Sequence, residues 1–485
     1  MDRVAPFVPP SADFHFPQGP SRTPKEKAMI VSEKMADFVS ALDGNKLPEA
    51  ALERAKGSIM DYVGVTFAGL SERCSEIVRE TVECLGGHPQ ATVWGTQTKT
   101  SVLLAALANG TAAHALDYDD VNSIMRSHPS IQLLPALFAL GEYEHRSGRE
   151  ILTAYVTGFE VGAKLGRALN PELVFQGWFP VGTLGTLMQA AACAKLLELN
   201  ADQVRMAIGI ATNLASGLRC NNGTMAKPLM AGQVGSNGAL AALLARRGMT
   251  AHEEALEARF GFFENFSRGD RKNLDQAIRS LGEPLEIVQL GITTKLYPCC
   301  AGSHMAIDCA LHIVKDQKVN PEEIQEVRVS ISKNARYLLI HPRPRTEMEA
   351  KFSLEYAVSR AILDAQIAPQ QFTPEKIREP RLQSLIERIK PHYYEAPEAE
   401  SKAEWTRLPV KIELQMKNGR VFTAEVDRPK GSPRNPLTPA ELKEKFRQCV
   451  RGKFSESTTD RVMEQLLNFE NLADVASLMA LWSEF

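Results

Sequence analysis

Three carboxylates and a histidine follow an apolar segment in the first third of the chain. Asp117, Asp119 and Asp120 lie within four positions, and His128 follows after a short gap. The preceding residues, 102–115, are rich in alanine and have the spacing of a buried helix. Charged groups that emerge so close to a core need partners or a function. Because an imidazole titrates near neutral pH, His128 is the candidate proton carrier.

The same residues also fit a plain loop between two helices. Asp119 and Asp120 could face water, and Ser127 or Ser130 could cap the apolar helix that follows. The pattern leaves both interpretations open for this aspartate pair. For His128 it favours a function, since the ring lies beside a cluster of charges.

One lysine stands where the surrounding pattern is that of a core. Lys227 lies between two alanine-rich helical segments, at the end of the polar stretch 221–228. A buried lysine needs an anion, and a substrate carboxylate would serve. The alternative is a surface lysine whose stem packs on the protein while its head reaches water.

A glycine-rich stretch, residues 177–185, leads into a further predicted helix. Its backbone N–H groups, near Gly182, could receive a carboxylate or a phosphate. No strand precedes it in the required arrangement, so it is not a dinucleotide-binding fingerprint. A simple helix-entry loop is the alternative.

Two adjacent cysteines and a histidine follow Lys295. The order is Cys299, Cys300 and, four positions later, His304. Neighbouring side chains seldom converge on one ion, and both the C-x₂-C spacing and the cysteines of an iron–sulfur cluster are missing. We therefore predict no metal and favour a turn in which His304 caps or contacts the next helix. Walker loops, nucleophile elbows and the H-E-x-x-H motif are also missing from the sequence.

Helical patterns must position most of these residues. Apolar residues recur at three- and four-residue spacing through most of the first 250 positions. The predicted helices span 25–42, 48–69, 75–85, 98–115, 131–147, 150–169, 183–199, 202–216 and 230–246. The many alanines and glycines in these segments predict closely packed helices. Residues 91–94 have the pattern of a short strand.

The pattern changes near residue 290. Segments 327–332, 410–416 and 420–426 alternate like strands, and Asn418-Gly419 between the last two is a strong hairpin signal. Helices are predicted at 303–317 and 353–366, and again from 439 onward. The predicted fold is therefore mainly α. A large helical domain is built from both chain ends, 25–290 and 430–485, and a smaller α+β domain, 291–429, is inserted.

Composition excludes several classes of function. The chain has 485 residues, of which 44% are hydrophobic and 24% charged, as in a soluble globular protein. Its formal net charge of −2 argues against nucleic acid or an anionic membrane as the main partner. No apolar stretch is long enough to span a bilayer. Eight irregularly spaced cysteines favour a reducing compartment, so we expect the cytoplasm, with mitochondria as an alternative.

Residues 1–24 have a composition of their own. They contain six prolines and three phenylalanines, without the apolar core of a secretory signal. We expect an extended arm that packs on the body or on a second subunit.

In their order and distances, these stretches resemble the MmgE/PrpD family. It includes 2-methylcitrate dehydratase, cis-aconitate decarboxylase and an iminodisuccinate epimerase. The resemblance runs from about residue 28 to the C-terminus and does not separate these activities. The pieces that carry it are 116–120 with 128–130, then 177–180, 223–227, 295–300 with His304, and 429–433.

The resemblance implies a helical domain with an inserted lid domain, a homodimer, and no cofactor. It implies an active site in the cleft between the domains. The residues at matching positions that line this site are Asp117, His128, Lys227 and Lys295. By the same likeness, the substrate-binding positions are expected at Phe179, Gly182, Thr224, Cys300 and His304.

Two departures from the family bear on the chemistry. The family often has histidine where this chain has Phe179 and where it has Met230. Cys300 stands where the decarboxylase branch tends to have histidine, and the tyrosine of decarboxylases has only Tyr337 nearby. The missing imidazoles predict either the loss of a proton carrier or a different substrate.

The leading hypothesis is a cofactor-independent lyase that acts on a small di- or tricarboxylic acid. Lys227 and Lys295 would bind carboxylates, Asp117 would orient His128, and His128 would move the proton. Dehydration of a 2-methylcitrate-like alcohol is favoured over decarboxylation of cis-aconitate, because decarboxylase-type residues are missing. An epimerase of an amino-dicarboxylate such as iminodisuccinate and a non-catalytic helical dimer stay open as further interpretations.

Overall fold

A computed structural model describes residues 30–267, 271–395 and 408–482. Within these ranges helices dominate and the strands are few, so the prediction of a mainly α fold is confirmed. The predicted N-terminal arm lies outside the described residues.

The first half of the chain is a succession of helices with one small hairpin. The nine helices predicted up to residue 246 are present with shifted ends, and one further short helix, Glu172–Phe175, was not predicted. They are α1 (Val31–Ala41), α2 (Glu49–Gly69), α3 (Arg73–Leu85), α4 (Val102–His114), α5 (Pro129–Tyr143), α6 (Gly148–Leu169), α7 (Glu172–Phe175), α8 (Pro180–Leu196), α9 (Ala201–Leu214) and α10 (Ala226–Arg246). The hairpin pairs β1 (Ala91–Thr92) with β2 (Lys99–Thr100). Helix α4 therefore begins later than predicted, and the Ser101 hydroxyl caps it.

Shorter elements connect this half to a sheet and to the C-terminal helices. The helices are α11 (Phe262–Phe266), α12 (Arg271–Arg279), α13 (Glu286–Gln289), α14 (His304–Gln317), α15 (Glu347–Ala350), α16 (Leu354–Asp364), α17 (Pro374–Arg378), α18 (Pro380–Ile386), α19 (Pro439–Val450), α20 (Glu456–Leu467) and α21 (Ala476–Trp482). The strands are β3 (Ile324–Ser332), β4 (Ile389–Tyr394), β5 (Val410–Met416) and β6 (Val421–Val426).

The four strands form one sheet in the order β4-β3-β5-β6. The hairpin of β5 and β6 was predicted, and Gly419 takes the left-handed φ of +84° that its turn requires. Strand β4 was missed. It pairs in parallel with β3, with Val327 opposite Ile389.

Small residues bring α4 and α10 into backbone contact. A Cβ atom on Gly232 would lie 2.1 Å from the carbonyl oxygen of Leu107, and one on Gly110 would lie 2.7 Å from the Cα of Gly232. The predicted close packing of alanine- and glycine-rich helices is found here. This contact fixes α4, which ends at His114, against α10, which begins beside Lys227.

The buried apolar side chains fall into two large clusters. One runs from Val31 to Ile287 and again from Phe446 to Trp482, so both chain ends share it. The other runs from Cys299 to Met416 and joins the sheet to α14 and α16. The exact domain boundaries and the role of the second unit as a lid stay predictions.

The length and the polarity of each helix decide whether it could span a membrane. Among the described residues, no helix combines the length and the apolar character that a bilayer span requires.

Candidate active site

The turn after α4 is bound by lysines from three distant parts of the chain. The ammonium of Lys351 donates to the carbonyl of Ala115 at 2.9 Å, Lys295 to that of Asp117 at 2.7 Å, and Lys445 to that of Tyr118 at 3.0 Å. Cations are favoured at the C-terminal end of a helix, where carbonyl groups lack partners. The turn is therefore held on several sides.

Asp117 lies at the centre of this turn, between two of the predicted lysines. Its backbone has the left-handed φ of +51°, which aspartate tolerates better than most residues. Its Oδ1 lies 2.7 Å from Nζ of Lys227 and 3.3 Å from Nζ of Lys295. All three side chains are buried, so the surface alternative for Lys227 is wrong.

Asp119, and not Asp117, binds His128. The Nδ1 of His128 lies 2.8 Å from Oδ2 of Asp119, whereas its Nε2 lies 4.0 Å from Oδ1 of Asp117. The expected orienting role of Asp117 therefore passes to Asp119, because the left-handed turn directs Asp117 toward the lysines. Asp119 is fully buried, so the solvent-facing alternative for it is wrong.

His114 completes a hydrogen-bonded chain that the sequence did not predict. Its Nδ1 lies 2.8 Å from Oδ1 of Asp119, and its Nε2 lies 2.6 Å from Nζ of Lys227. The chain thus runs from His128 through Asp119 and His114 to Lys227, and Asp117 accepts from the same lysine.

This chain fixes the tautomers of both imidazoles. An ammonium can only donate, so Nε2 of His114 accepts from Lys227 and the proton of His114 sits on Nδ1. That proton is donated to Asp119, whose other oxygen accepts from Nδ1–H of His128. The Nε2 of His128 is therefore an unprotonated acceptor.

The pKa directions agree with these assignments. Burial lowers the pKa of His128 to about 3, against the attraction of Asp119. Burial opposes the charge on both aspartates, yet the pKa of each is held well below its usual range, by His114 and His128 at Asp119 and chiefly by Lys227 and Lys295 at Asp117. Burial also opposes the charge on Lys295, but Asp117 and Asp119 outweigh it and raise its pKa. At Lys227 burial prevails over Asp117, and its pKa is lowered.

Asp120 is also buried, but it points away from the other two aspartates. Its Oδ1 accepts the backbone N–H of Ser130 at 3.1 Å, and its Oδ2 accepts the hydroxyl of Ser130. Burial raises the pKa of Asp120 to about 8. The alternative in which Ser127 or Ser130 caps this helix is wrong, because the carboxylate of Asp120 accepts from the first turn of α5.

Two members of this hydrogen-bonded chain, His128 and Lys227, line one cavity together with Asp117 and Lys295. It encloses about 1080 Å³, its open mouth included. Most of the lining is apolar, and its polar members come from both hydrophobic units. The polar and charged residues on its wall are Asp117, Asn122, Arg126, Ser127, His128, Arg219, Asn222, Lys227, Lys295, Cys300, Ser332, Asn334 and Tyr337.

Two of the expected substrate-binding residues line this cavity. Phe179 and Cys300 are on its wall, and the ring of Phe179 lies 5.6 Å from Nζ of Lys227. Phe352 lies 5.2 Å from the same ammonium. Burial raises the pKa of Cys300 to about 11, so its thiol keeps its proton at neutral pH.

The other three expected substrate-binding residues lie away from the cavity wall. Gly182 packs against the carbonyl of Ser216, where a Cβ would come within 1.9 Å. Thr224 is exposed, and its hydroxyl donates to the carbonyl of Asn221. His304 is buried beside Tyr297 and contacts the carbonyl of Cys299 at 3.3 Å. The three residues therefore have local roles. Gly182 allows two backbone segments to pack closely, and the side chains of Thr224 and His304 contact nearby backbone carbonyls.

Several residues of the site had weak signals in the sequence or none. His114 lies within an alanine-rich helix, where a single histidine resembles an ordinary core residue. Arg126, Arg219 and Asn222 lie in polar connections without a motif. The position of Arg126, two residues before His128, was the one available hint.

The four central side chains also have the composition of a metal site. Donor atoms of His114, Asp117, Asp119 and His128 all lie within 4.8 Å of one another. However, both oxygens of Asp119 are bonded to imidazoles, and an ammonium bonds to His114 and Asp117. Most of the donor atoms therefore already have partners, and Lys227 and Lys295 bring positive charge to the same group. The arrangement favours acid–base chemistry and anion binding.

Comparison with known proteins finds similarity over most of this chain. The MmgE/PrpD N-terminal domain matches residues 33–275, and the MmgE/PrpD C-terminal domain matches residues 297–469. Human cis-aconitate decarboxylase is 28% identical over 461 residues, which are 93% of this chain and 94% of the human protein. The cis-aconitate decarboxylase of Aspergillus terreus (strain NIH 2624 / FGSC A1156) is 25% identical over 479 residues, which cover 93% and 95%. The chain therefore belongs to the MmgE/PrpD family.

Proposed function

We propose that this protein is a lyase that removes CO₂ from a cis-aconitate-like tricarboxylic acid, without a cofactor. The observation that supports it most is the meeting of His128, Lys227 and Lys295 on one cavity wall, in a chain alignable with cis-aconitate decarboxylases over 93% of its length. The sequence-based preference for a 2-methylcitrate-type dehydratase gains no support from these relatives. Decarboxylation therefore becomes the leading proposal.

The two ammonium groups would bind the reacting end of the substrate. Each ammonium has three donors. Lys227 uses one toward His114 and one toward Asp117, and Lys295 uses one toward the carbonyl of Asp117. Each therefore keeps a donor for a carboxylate. Because the site is buried, these charges stabilise negative charge more strongly than they would in water.

The proposed step breaks the bond between a carbon and its carboxylate. The bonding electron pair moves into the conjugated system that ends on a neighbouring carboxylate, next to the lysines. A proton then adds to the carbanion, and a dicarboxylate and CO₂ leave. One proton is consumed per turnover and is replaced from solvent.

His128 is the proposed proton donor, and substrate binding would cause its ring to take up the proton that it donates. In the free protein its pKa is about 3, so the ring is neutral at pH 7. A polyanion beside the ring favours the imidazolium and raises this pKa. Substrate binding would thus be coupled to the uptake of a proton on Nε2, the nitrogen that the hydrogen-bonded chain leaves free.

Dehydration of a citrate-like alcohol is the second candidate. The neutral Nε2 of His128 in the free protein is suited to remove a proton from a carbon α to a carboxylate. The protonated thiol of Cys300 could then donate to the leaving hydroxyl group. An epimerase would need the same base.

The second hydrophobic unit would act as a lid. It carries Cys300 and Phe352 onto the cavity wall, and Lys295 lies just before it. We further propose that the protein works as a homodimer on a small polycarboxylate.

The test is incubation of the purified protein with cis-aconitate, 2-methylcitrate, citrate and iminodisuccinate in D₂O, followed by proton NMR. Decarboxylation predicts a dicarboxylate with one deuterium on the carbon that receives the proton. Water loss from 2-methylcitrate alone would favour the dehydratase, and deuterium exchange without a new product would favour the epimerase. No change with any of these acids contradicts the proposed function.

A further inference from the structure

The same cavity has a second group of cations, apart from the lysines. Arg126 and Arg219 line its wall beside Phe175 and Tyr337. The guanidinium carbon of Arg126 lies 5.9 Å from the centre of the Phe175 ring, and that ring lies 5.6 Å from the ring of Tyr337. Arg219 donates to the backbone carbonyl of Tyr337. The two guanidinium groups therefore lie beside the same part of the wall, which Phe175 and Tyr337 form.

The two cationic groups are electrostatically distinct. Burial lowers the pKa of Arg126 to about 10, with Glu172 opposing and Arg219 reinforcing that effect. Lys227 and Lys295 instead respond to Asp117 and Asp119. The arginines thus do not share the carboxylates that neutralise the lysines.

The charge of Arg219 is not balanced by a carboxylate among the described residues. Its two hydrogen-bond acceptors are the carbonyl oxygens of Val174, at 2.9 Å, and Tyr337. A carbonyl has only a partial charge, and a guanidinium has five N–H donors. Burial lowers the pKa of Arg219 as well, with Cys300 opposing that effect.

A neighbouring amide also has unused capacity. The side-chain oxygen of Asn222 is buried, and within the described residues it has no hydrogen-bond partner. Asn222 lines the same cavity, three positions after Arg219. A buried amide oxygen without a partner is costly, and rotation of the amide by half a turn would present its NH₂ donor to a carboxylate in the cavity.

From these contacts we infer that Arg219 and Arg126, with Asn222, form a second anion subsite that binds a carboxylate remote from the reacting end of the substrate. This inference rests on the proposed function, since it takes the lysine group as the reacting end. The substrate class is then a tricarboxylate. Two of its carboxylates face Lys227 and Lys295, and the third is a spectator held by the arginines, which can bind it in two-pronged fashion.

The apolar lining between the two groups suits the carbon skeleton of such an acid. Val174, Phe175 and Phe179 contribute to the wall. A charged anchor at each end and apolar contacts between them would fix the direction in which the acid enters.

The test is calorimetric titration with two saturated acids that cannot react, tricarballylate and methylsuccinate. Methylsuccinate is tricarballylate without one terminal carboxylate. We expect the unchanged protein to bind tricarballylate at least about tenfold more tightly, which corresponds to about 1.4 kcal/mol. Arg126→Gln and Arg219→Gln should each remove most of this preference and leave the affinity for methylsuccinate unchanged.

Arg247→Gln is the matched control, since Arg247 is exposed at the end of α10. It should change neither affinity. Arg219 also joins two backbone segments, so thermal unfolding of each variant checks the fold, and Arg126→Gln tests the subsite without breaking those bonds. Equal binding of both acids by the unchanged protein, or equal weakening of both by Arg126→Gln, would overturn the subsite.

The two proposals fail in different ways. Turnover of cis-aconitate together with equal binding of the two saturated acids would remove the subsite and keep the function. Selective binding of tricarballylate without turnover of any acid would keep the subsite and remove the function.

Discussion

At the scale of single residues, the state of His128 is set in part by groups to which it is not hydrogen-bonded. Lys227 decides which nitrogen of His114 is protonated, and His114 in turn leaves one oxygen of Asp119 for His128. A substitution of any residue in this hydrogen-bonded chain should therefore change the protonation or the orientation of Nε2 of His128. This arrangement makes the proton carrier and the anion-binding lysine parts of one network.

Replacing His128 tests the proton carrier directly. His128→Ala should lower kcat by about 10²–10⁴, the usual contribution of a positioned acid or base. Circular dichroism and the melting temperature check that the variant folds. Unchanged turnover of the preferred acid would end the assignment of His128.

Two replacements of His114 separate its contacts. His114→Asn keeps a donor near the Nδ1 position, toward Asp119, and should change kcat less than tenfold while KM rises because Lys227 loses a partner. His114→Gln keeps an acceptor near the Nε2 position but loses the bond to Asp119. It should lower kcat by ~10–100-fold, as expected for a group that orients another side chain.

The ¹⁵N chemical shifts of the His128 ring report its tautomer in both variants. A fixed Nδ1–H form in His114→Asn and a mixture in His114→Gln are expected. Equal losses of kcat with unchanged ring shifts would contradict a positioning role for His114.

Prediction from sequence succeeded at this scale where a charge stood out from an apolar background. Asp117, His128 and Lys227 were singled out for that reason, whereas Lys295 came from the resemblance to the family, and the structure brings all four together. His114 was missed because burial within a helix is the ordinary state of a single histidine. Partners more than a hundred positions apart, such as His114 and Lys227, leave no local pattern.

At the scale of elements, the contact of α4 with α10 sets the distance between His114 and Lys227. Both side chains project from helix ends, and Gly110 and Gly232 allow the two backbones to touch. The helices themselves follow from apolar periodicity, which is why their existence could be predicted. The distance at which α4 and α10 cross could not be predicted, since it depends on which glycines of the two helices meet.

Enlarging a glycine at this contact should therefore harm both stability and activity. Gly232→Ala places a methyl group 2.1 Å from a backbone carbonyl, and such overpacking costs about 1–3 kcal/mol of the free energy of unfolding. We also expect KM to rise, because Lys227 shifts with α10. Chemical denaturation and steady-state kinetics measure the two effects.

Gly57→Ala is the control for that substitution. Gly57 lies within α2, and the nearest atom to its Cβ would be 3.6 Å away, an ordinary contact. Removal of a helical glycine should stabilise the protein by about 0.5–1 kcal/mol without a change in KM. Equal stability of both variants would contradict the packing argument.

Strand β4 shows what a local pattern cannot reveal at this scale. It is an edge strand with Pro391 in its middle, and prolines are confined to edges or bulges in sheets. The proline and the polar residues around it hid the strand. The hairpin of β5 and β6, by contrast, was predictable because its turn is encoded locally.

At the scale of the whole molecule, buried imidazoles link stability to pH. Burial lowers the pKa of both His128 and His304 to about 3, from an ordinary value of 6.5. Between these values the unfolded chain binds protons that the folded protein does not. The free energy of unfolding should therefore fall as the pH decreases from 6.5 toward 3, by about 1.4 kcal/mol per pH unit for each such group.

His304→Gln isolates one of these contributions, because His304 lies away from the cavity wall. The variant should show a shallower loss of stability below pH 6.5, by about 1.4 kcal/mol per pH unit, with unchanged KM. Denaturation curves at several pH values measure it, and His88→Gln, at an exposed position, is the control. Parallel pH profiles for His304→Gln and the unchanged protein would contradict the linkage.

The three lysines that hold the turn after α4 have a consequence for how the chain reaches its final state. Lys295, Lys351 and Lys445 lie 178, 236 and 327 positions from the carbonyls that they bind. Contacts so distant along the chain form late, since closing long loops costs entropy first. During synthesis α4 and α10 can assemble early, yet the acidic turn lacks the last of its three cations, Lys445, until α19 has been made. Catalytic competence should therefore appear only with the finished polypeptide.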